Sequence, residues 1–201
     1  MGTETRCRVE IDDQSSEAKV LLETDELILR GAVKARIAFR DAANVAADGG
    51  VLRLEWAQDG TTRAVRLHVG ADAAKWAEKI RNPKTVAEKL GVKPGQKIAI
   101  VGALDTGFLG SLPYTTKVGS GSDVIFFAAN ARQELTKLVA LRKALAPAGA
   151  VWVIRPKGVA SISESDVMSA AKSAGLVDVK VVRFSDTHTA EKLVIPVAAR
   201  P

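Results

Sequence analysis

From Thr5 to Gly70 the apolar residues recur at every second position, and beyond Gly70 they recur at helical spacing or in unbroken runs. That switch limits the fold more than any single residue does. Val20 and Leu22, Leu27 and Leu29, Ala35, Ile37 and Phe39, Leu52, Leu54 and Trp56, and Val65, Leu67 and Val69 each line one face of a strand. Lys19, Arg30, Lys34, Arg36, Arg40, Arg53, Glu55, Arg63, Arg66 and His68 fall between them, facing the other way. Such alternation marks antiparallel strands with one buried and one wet face. Turn signals at Thr24-Asp25, Asp48-Gly49-Gly50 and Asp59-Gly60 separate them. The pattern predicts seven short strands, at 5–11, 18–23, 26–30, 34–40, 43–47, 51–57 and 62–69.

After Gly70 the period changes. Ala73, Trp76, Ala77 and Ile80 share one face of a helix, with Asp72 at its start and Lys79 and Arg81 in its last turn. Seven strands followed by one amphipathic helix with a large aromatic resemble a pleckstrin-homology-like barrel. The resemblance implies that the helix plugs one open end and that Trp76 is the plug. Barrels of this kind bind lipid head groups, peptides or partner domains, so the fold alone selects no ligand. The outward row Lys34, Arg36 and Arg40 is the one anion-facing candidate here, and it reads first as a solvated strand face.

Charge shifts together with pattern. Residues 1–82 carry 13 Lys and Arg against 14 Asp and Glu, whereas residues 83–201 carry 16 against 9. We therefore expect two domains, 1–82 and 83–201, meeting at Asn82-Pro83. The basic surplus of the second suits an anionic ligand, but aromatics are only 4% of the chain and no arginine-rich run accompanies them, which argues against a nucleic-acid platform. Ordinary solubility charge is the preferred explanation of the surplus.

In the second part, Pro83 is expected early in a short helix containing Val86 and Leu90 and stopped by Gly91. Lys97–Gly102 (KIAIVG) reads as a strand, DVIFFAA (123–129) and AVWVIRP (150–156) as strands covered on both faces. A helix is expected over Arg132–Ala146, burying Leu135, Leu138, Val139, Leu141 and Leu145 and stopped by Pro147-Ala148-Gly149. A second, Ser163–Ala174, opens with capping-box spacing at Ser163 and Asp166 and ends at Gly175. VDVKVVRF and EKLVIPVAA close the chain as strands joined by SDTHT, where His188 reads as a solvated turn residue. Alternating strands and helices predict a mostly parallel sheet with right-handed crossovers.

LGVKPGQKIAIVG, the Leu112-Pro113 pair, SDVIFFAANARQEL, LRKALAPAGAVWVIRPKG and AGLVDVKVVRFSDTHTAEKLVIP together resemble the bacterial family called domain of unknown function 3052, over residues 87–196. Its members resemble shortened class I methyltransferases, and Pro156-Lys157 fits the family's proline-lysine pair. The expected architecture is thus an α+β, pleckstrin-homology-like barrel followed by an α/β, truncated Rossmann-like domain. Methyltransferases of this class place an acidic-Gly-x-Gly type of loop after the first strand and a ribose-binding carboxylate after the second. Here the loop is Gly102-Ala103-Leu104-Asp105-Thr106-Gly107, and the stretch from Val101 to Asp123 is too short for a further βαβ unit, which needs about 30 residues. The second and third strands are expected to be missing.

Ligands of open α/β sheets bind at the carboxyl ends of the strands. The candidates there are Gly102, Asp105, Thr106 and Gly107 after one strand, Ala129 and Asn130 after the next, and Arg155 and Lys157 after the third. The cations suit an anion, while Asp105 and Asn130 suit a polar ligand; helix capping and loop bridging are the competing roles. No catalytic constellation is legible, because Cys7 is the single cysteine, the two histidines are far apart, and the serines have no motif around them. Neither a metal nor a cofactor is therefore expected. A polar N-terminus and the lack of a 20-residue apolar run point to a cytoplasmic protein. The leading expectation is a non-catalytic binding protein for a protein partner or small anionic ligand. The alternative is an S-adenosylmethionine- or nucleotide-dependent enzyme using the 102–107 loop.

Overall fold

Alternation in the first part becomes a seven-stranded antiparallel sheet curled into a nearly closed barrel, in the order β4-β3-β2-β1-β7-β6-β5. In the computed structural model, which describes residues 2–12 and 14–200, the chain divides into two compact units, Met1–Lys84 and Thr85–Pro201. The strands of the first are β1 (Thr3–Ile11), β2 (Gln14–Leu22), β3 (Glu26–Gly31), β4 (Ala35–Ala38), β5 (Ala42–Asp48), β6 (Val51–Gln58) and β7 (Thr61–Leu67). β2 begins four residues earlier than its pattern predicts. It pairs with β1 along its whole length, from Thr3 opposite Leu22 to Ile11 opposite Gln14, although its polar start carries no alternating signal. β4 is shorter than expected because Phe39–Asp41 turns as a 3-10 helix, with the Phe39 N–H donating to Asp25 O at 2.9 Å.

Val9, Val20, Leu27, Leu29, Leu52, Leu54 and Leu67 point into one core. Helix α1 (Ala73–Arg81) adds Ala73, Trp76, Ala77 and Ile80 to it, and Trp76 is among the largest fully buried side chains. Cys7 is buried in the same core, and burial raises its thiol pKa.

The second unit is a five-stranded sheet, β11-β12-β10-β9-β8. It comprises β8 (Ile98–Val101), β9 (Ser122–Ala128), β10 (Leu145–Pro156), β11 (Val177–Arg183) and β12 (His188–Val194). β8, β9 and β10 pair in parallel, whereas β12 is antiparallel to both β10 and β11. Four strands therefore run one way with β12 reversed between β10 and β11, and the expected mostly parallel sheet is mixed in its pairings. The reason lies in the connection: four residues, Phe184–Thr187, join β11 to β12, enough for a hairpin and far too few for a parallel crossover.

One face of this sheet, with Ala99, Ile125, Phe127, Val151, Val153 and Leu193, packs under α3 (Leu138–Ala144) and α4 (Glu164–Ser173). The other, with Ile98, Ile100, Phe126, Trp152 and Ile154, is covered by α2 (Val86–Leu90) and the segment after β8. Three helical expectations need correction. Pro83 lies outside α2, whose cap is Thr85 in a capping box with Glu88. The stretch after Ala131 begins as a 3-10 helix, Arg132–Lys137, so burial falls at Leu135, Leu138 and Leu141, and Val139 turns out to solvent. Pro147-Ala148-Gly149 lies inside β10, because the helix has already ended at Ala144 and Leu145 is extended. Gly149 is needed there: a Cβ would stand 2.7 Å from Ser122 O and 3.1 Å from Asp123 O, where β10 shifts register against β9. α4 forms as its spacing predicts, with Ser163 and Asp166 in a reciprocal capping box.

Candidate functional site

Gly102 leaves β8 with φ 88°, a conformation that favours glycine. A Cβ there would lie 2.8 Å from Ala128 O and 3.2 Å from the Ala128 side chain. The glycine is thus required by the neighbouring strand. Asp105 Oδ1 accepts the Gly107 N–H at 2.9 Å, closing a local turn, and Thr106 Oγ1 lies 3.2 Å from the Tyr114 hydroxyl.

Beyond Gly107 the segment is apolar and folds inward. Phe108 stands edge-on to both Phe126 and Phe184, with ring centroids 5.0 Å apart in each pair. Leu109 is buried beside it, and Leu104 and Leu112 pack against the same cluster. The chain then returns along the outer side of β8: Thr115 N–H donates to Ile98 O at 3.0 Å, and Ile100 N–H donates to Thr115 O at 2.9 Å. This one-residue parallel bridge occupies the edge on which a second strand would sit.

After β9, Ala129 N–H donates to Ile154 O at 2.9 Å. Glu134 Oε2 accepts from the N–H groups of Asn130 at 2.7 Å and Ala131 at 3.2 Å, and Asn130 O accepts from Ser161 Oγ at 2.8 Å. Asn130 itself is exposed.

After β10 the two cations part. Lys157 Nζ donates to Ser185 O at 2.7 Å and so ties down the β11–β12 hairpin. His188 opens β12 and its Nδ1 is 2.9 Å from Thr187 Oγ1. Arg155 turns to the α3 and α4 face, buried, with Nε 2.8 Å and Nη2 2.6 Å from Glu191 Oε1. Glu191 Oε2 is buried and takes no hydrogen bond within the chain. Burial raises the Glu191 pKa, the nearby Glu164 and Asp178 add to that, and Arg155 opposes it.

Glu191 is the site-adjacent residue that sequence reasoning missed. A signal existed, since Glu191 shares the parity of Leu193 and Ile195 on the inward face of its strand. In the barrel, Arg36 of the candidate basic row is engaged by Glu26 through Nε at 3.0 Å and Nη2 at 2.6 Å, and Arg40 lies 3.7 Å from Asp41. Among the described residues no cluster of three or more His, Cys, Asp or Glu side chains is placed to hold a metal ion.

A nucleoside cofactor held in the methyltransferase manner needs an open backbone approach after the first strand and a ribose carboxylate beyond it. The residues present do not fit that requirement. Leu104, Phe108, Leu109 and Leu112 pack down onto the sheet face of Ile98, Ile100 and Phe126, the next edge position is taken by Thr115, and Asp105 is turned to its own loop.

Residues 121–197 match the family model for Protein of unknown function (DUF3052). The matched segment holds Asn130, Arg155, Lys157 and Glu191, and the Gly102–Gly107 loop precedes it. No curated protein matches the sequence.

Among solved structures, the chain is similar to a TehB-like SAM-dependent methyltransferase from Corynebacterium glutamicum at 13% identity and TM-score 0.41. That match covers 62% of this chain and 96% of the other. A SAM-dependent methyltransferase from Aquifex aeolicus matches at 16% identity and TM-score 0.42, over 55% of this chain and 88% of that one. A structure of the Vav1 exchange factor, described for the role of its PH and C1 domains, matches at 11% identity and TM-score 0.30, over 42% and 27%.

Proposed function

We propose that the chain is a non-catalytic, two-domain binding protein: a barrel over residues 1–82 joined to a shortened Rossmann-like domain over 83–201 that keeps the scaffold without the cofactor site. The observation that carries this reading is the Thr115 bridge on the β8 edge, in the position that a second strand with a ribose carboxylate would need. The engagement of Asp105, Arg155 and Lys157 within the chain supports it. Its action is then to bind a protein partner or small anionic ligand at its surface. We place it in the cytoplasm, in keeping with a single cysteine. Among the described residues no helix is long and apolar enough to cross a membrane.

Titration calorimetry with S-adenosylmethionine and S-adenosylhomocysteine tests the reading. No heat of binding is expected up to about 1 mM ligand. A micromolar dissociation constant, worth about −8 kcal/mol and lost in Asp105→Ala, would overturn it in favour of an enzyme that uses the 102–107 loop.

A further inference from the structure

The two edges of the second unit's sheet are finished differently. β8 is sealed by the Thr115 bridge, and nothing among the described residues pairs with the outer side of β11. β11 groups three exposed apolar side chains on one strand: Val177, Val179 and Val181 are 41%, 54% and 49% exposed, and Met168 on the adjacent α4 is 51% exposed. Edge strands are usually blunted by prolines or by lysines lying along the edge. β11 has no proline, and Lys180 Nζ is drawn back to Lys89 O at 2.9 Å beside α2. The pairing of β11 with β12 shifts register between Asp178 and Lys180.

We propose that β11 is a homodimer interface, at which a second copy of this chain adds its own β11 antiparallel about a two-fold axis. Charge selects that occupant and that direction. β11 has its one acid, Asp178, near its start and Arg183 at its end, Arg183 also pairing with Asp186 of the hairpin at 2.6 Å, while Lys180 is held at Lys89 O. An antiparallel copy brings Asp178 of each strand towards the basic end of the other, whereas a parallel copy sets like charges side by side. A two-fold contact is self-complementary in just this way. The join also places the exposed valines against one another and gives the outer backbone groups of β11 hydrogen-bond partners.

Sedimentation equilibrium of the full chain decides the matter. Dimer is expected to predominate at about 200 µM. Val179→Asp and Val181→Asp, both at exposed positions, are expected to leave circular dichroism unchanged, to leave the unfolding midpoint unchanged at dilutions where parent and variants are monomeric, and to weaken dimerisation at least tenfold. Asp178→Arg is expected to weaken it as well. A monomer at that concentration, or a dimer indifferent to the valine changes, would refute the interface. A dimer weakened by the valine changes but not by Asp178→Arg would refute the charge-matched antiparallel arrangement.

Discussion

The barrel sheet of the first unit and the mixed sheet of the second use hydrophobic residues in opposite ways. The barrel buries one face of each strand, so its cations and carboxylates share the outer face and pair there: Arg8 with Glu10, Lys19 with Glu4, Arg36 with Glu26. The second sheet buries both faces, so a charge on an inner strand can be closed off from water. Arg155 is that case, and it is answered by Glu191 on the next strand. Polar residues at strand ends therefore differ in meaning between the two units. In the barrel they are solvated surface, and in the second unit they are held by the fold.

The largest effect is expected where a charge is buried. Arg155→Leu leaves Glu191 without its cation and should cost about 3–5 kcal/mol, while Arg155→Leu with Glu191→Leu should return to within roughly 1 kcal/mol of the parent. Chemical denaturation of the single and double variants measures both. A single variant as stable as the parent would mean that this pair is solvated like those of the barrel.

Trp76→Ala should be nearly as damaging, about 3–5 kcal/mol, because the side chain is fully enclosed by the barrel core. If the two units are separate domains, calorimetry will show one transition lowered and the other in place. A joint shift of both transitions would join what the comparison separates.

Gly102→Ala sharpens the contrast between a glycine kept for a ligand and one kept for packing. With a positive φ and a strand carbonyl 2.8 Å from the new Cβ, the loss should be about 1–3 kcal/mol, seen without any ligand added. A neutral substitution would return Gly102 to a ligand-binding role.

The smallest effect is at α4. Asp166 is held below the usual carboxylate range, first by its hydrogen bonds with Ser163 and then by Arg132 at 2.8 Å. A lowered carboxylate pKa means that the contribution is present above the unfolded value and is lost as pH falls through the folded one. The parent should lose stability below about pH 4 more steeply than Asp166→Asn does. Parallel acid profiles for the two would remove this capping contribution.

Barrel strands were legible because alternation is a local signal, and Leu52, Leu54 and Trp56 announce β6 without any partner in view. Helix α1 was legible for the same reason, from Ala73, Trp76, Ala77 and Ile80. What escaped was set by contacts distant in sequence. Arg155 reads as a free cation after a buried strand until Glu191, thirty-six residues on, is placed beside it. Gly102 reads as room for a ligand until Ala128 O is seen against it. The start of β10 at Leu145 depends on Ser122 across the sheet, while locally Pro147 and Gly149 look like a helix stop. Phe108 gave no periodic signal, since its partners Phe126 and Phe184 lie in distant parts of the chain.

Native-state hydrogen exchange reads out whether residues 102–115 are packed structure in the free protein, the point on which the proposed loss of the cofactor site turns. The amides of Leu109 and Leu112, bonded to Thr106 O and Leu109 O, and those of Ile100 and Thr115 on the β8 edge are the probes. All four are expected to exchange slowly, as core amides do, with rates that S-adenosylmethionine leaves unchanged. Fast exchange across the segment that becomes slow only when S-adenosylmethionine is added would mean that the segment is an open site closed by its ligand.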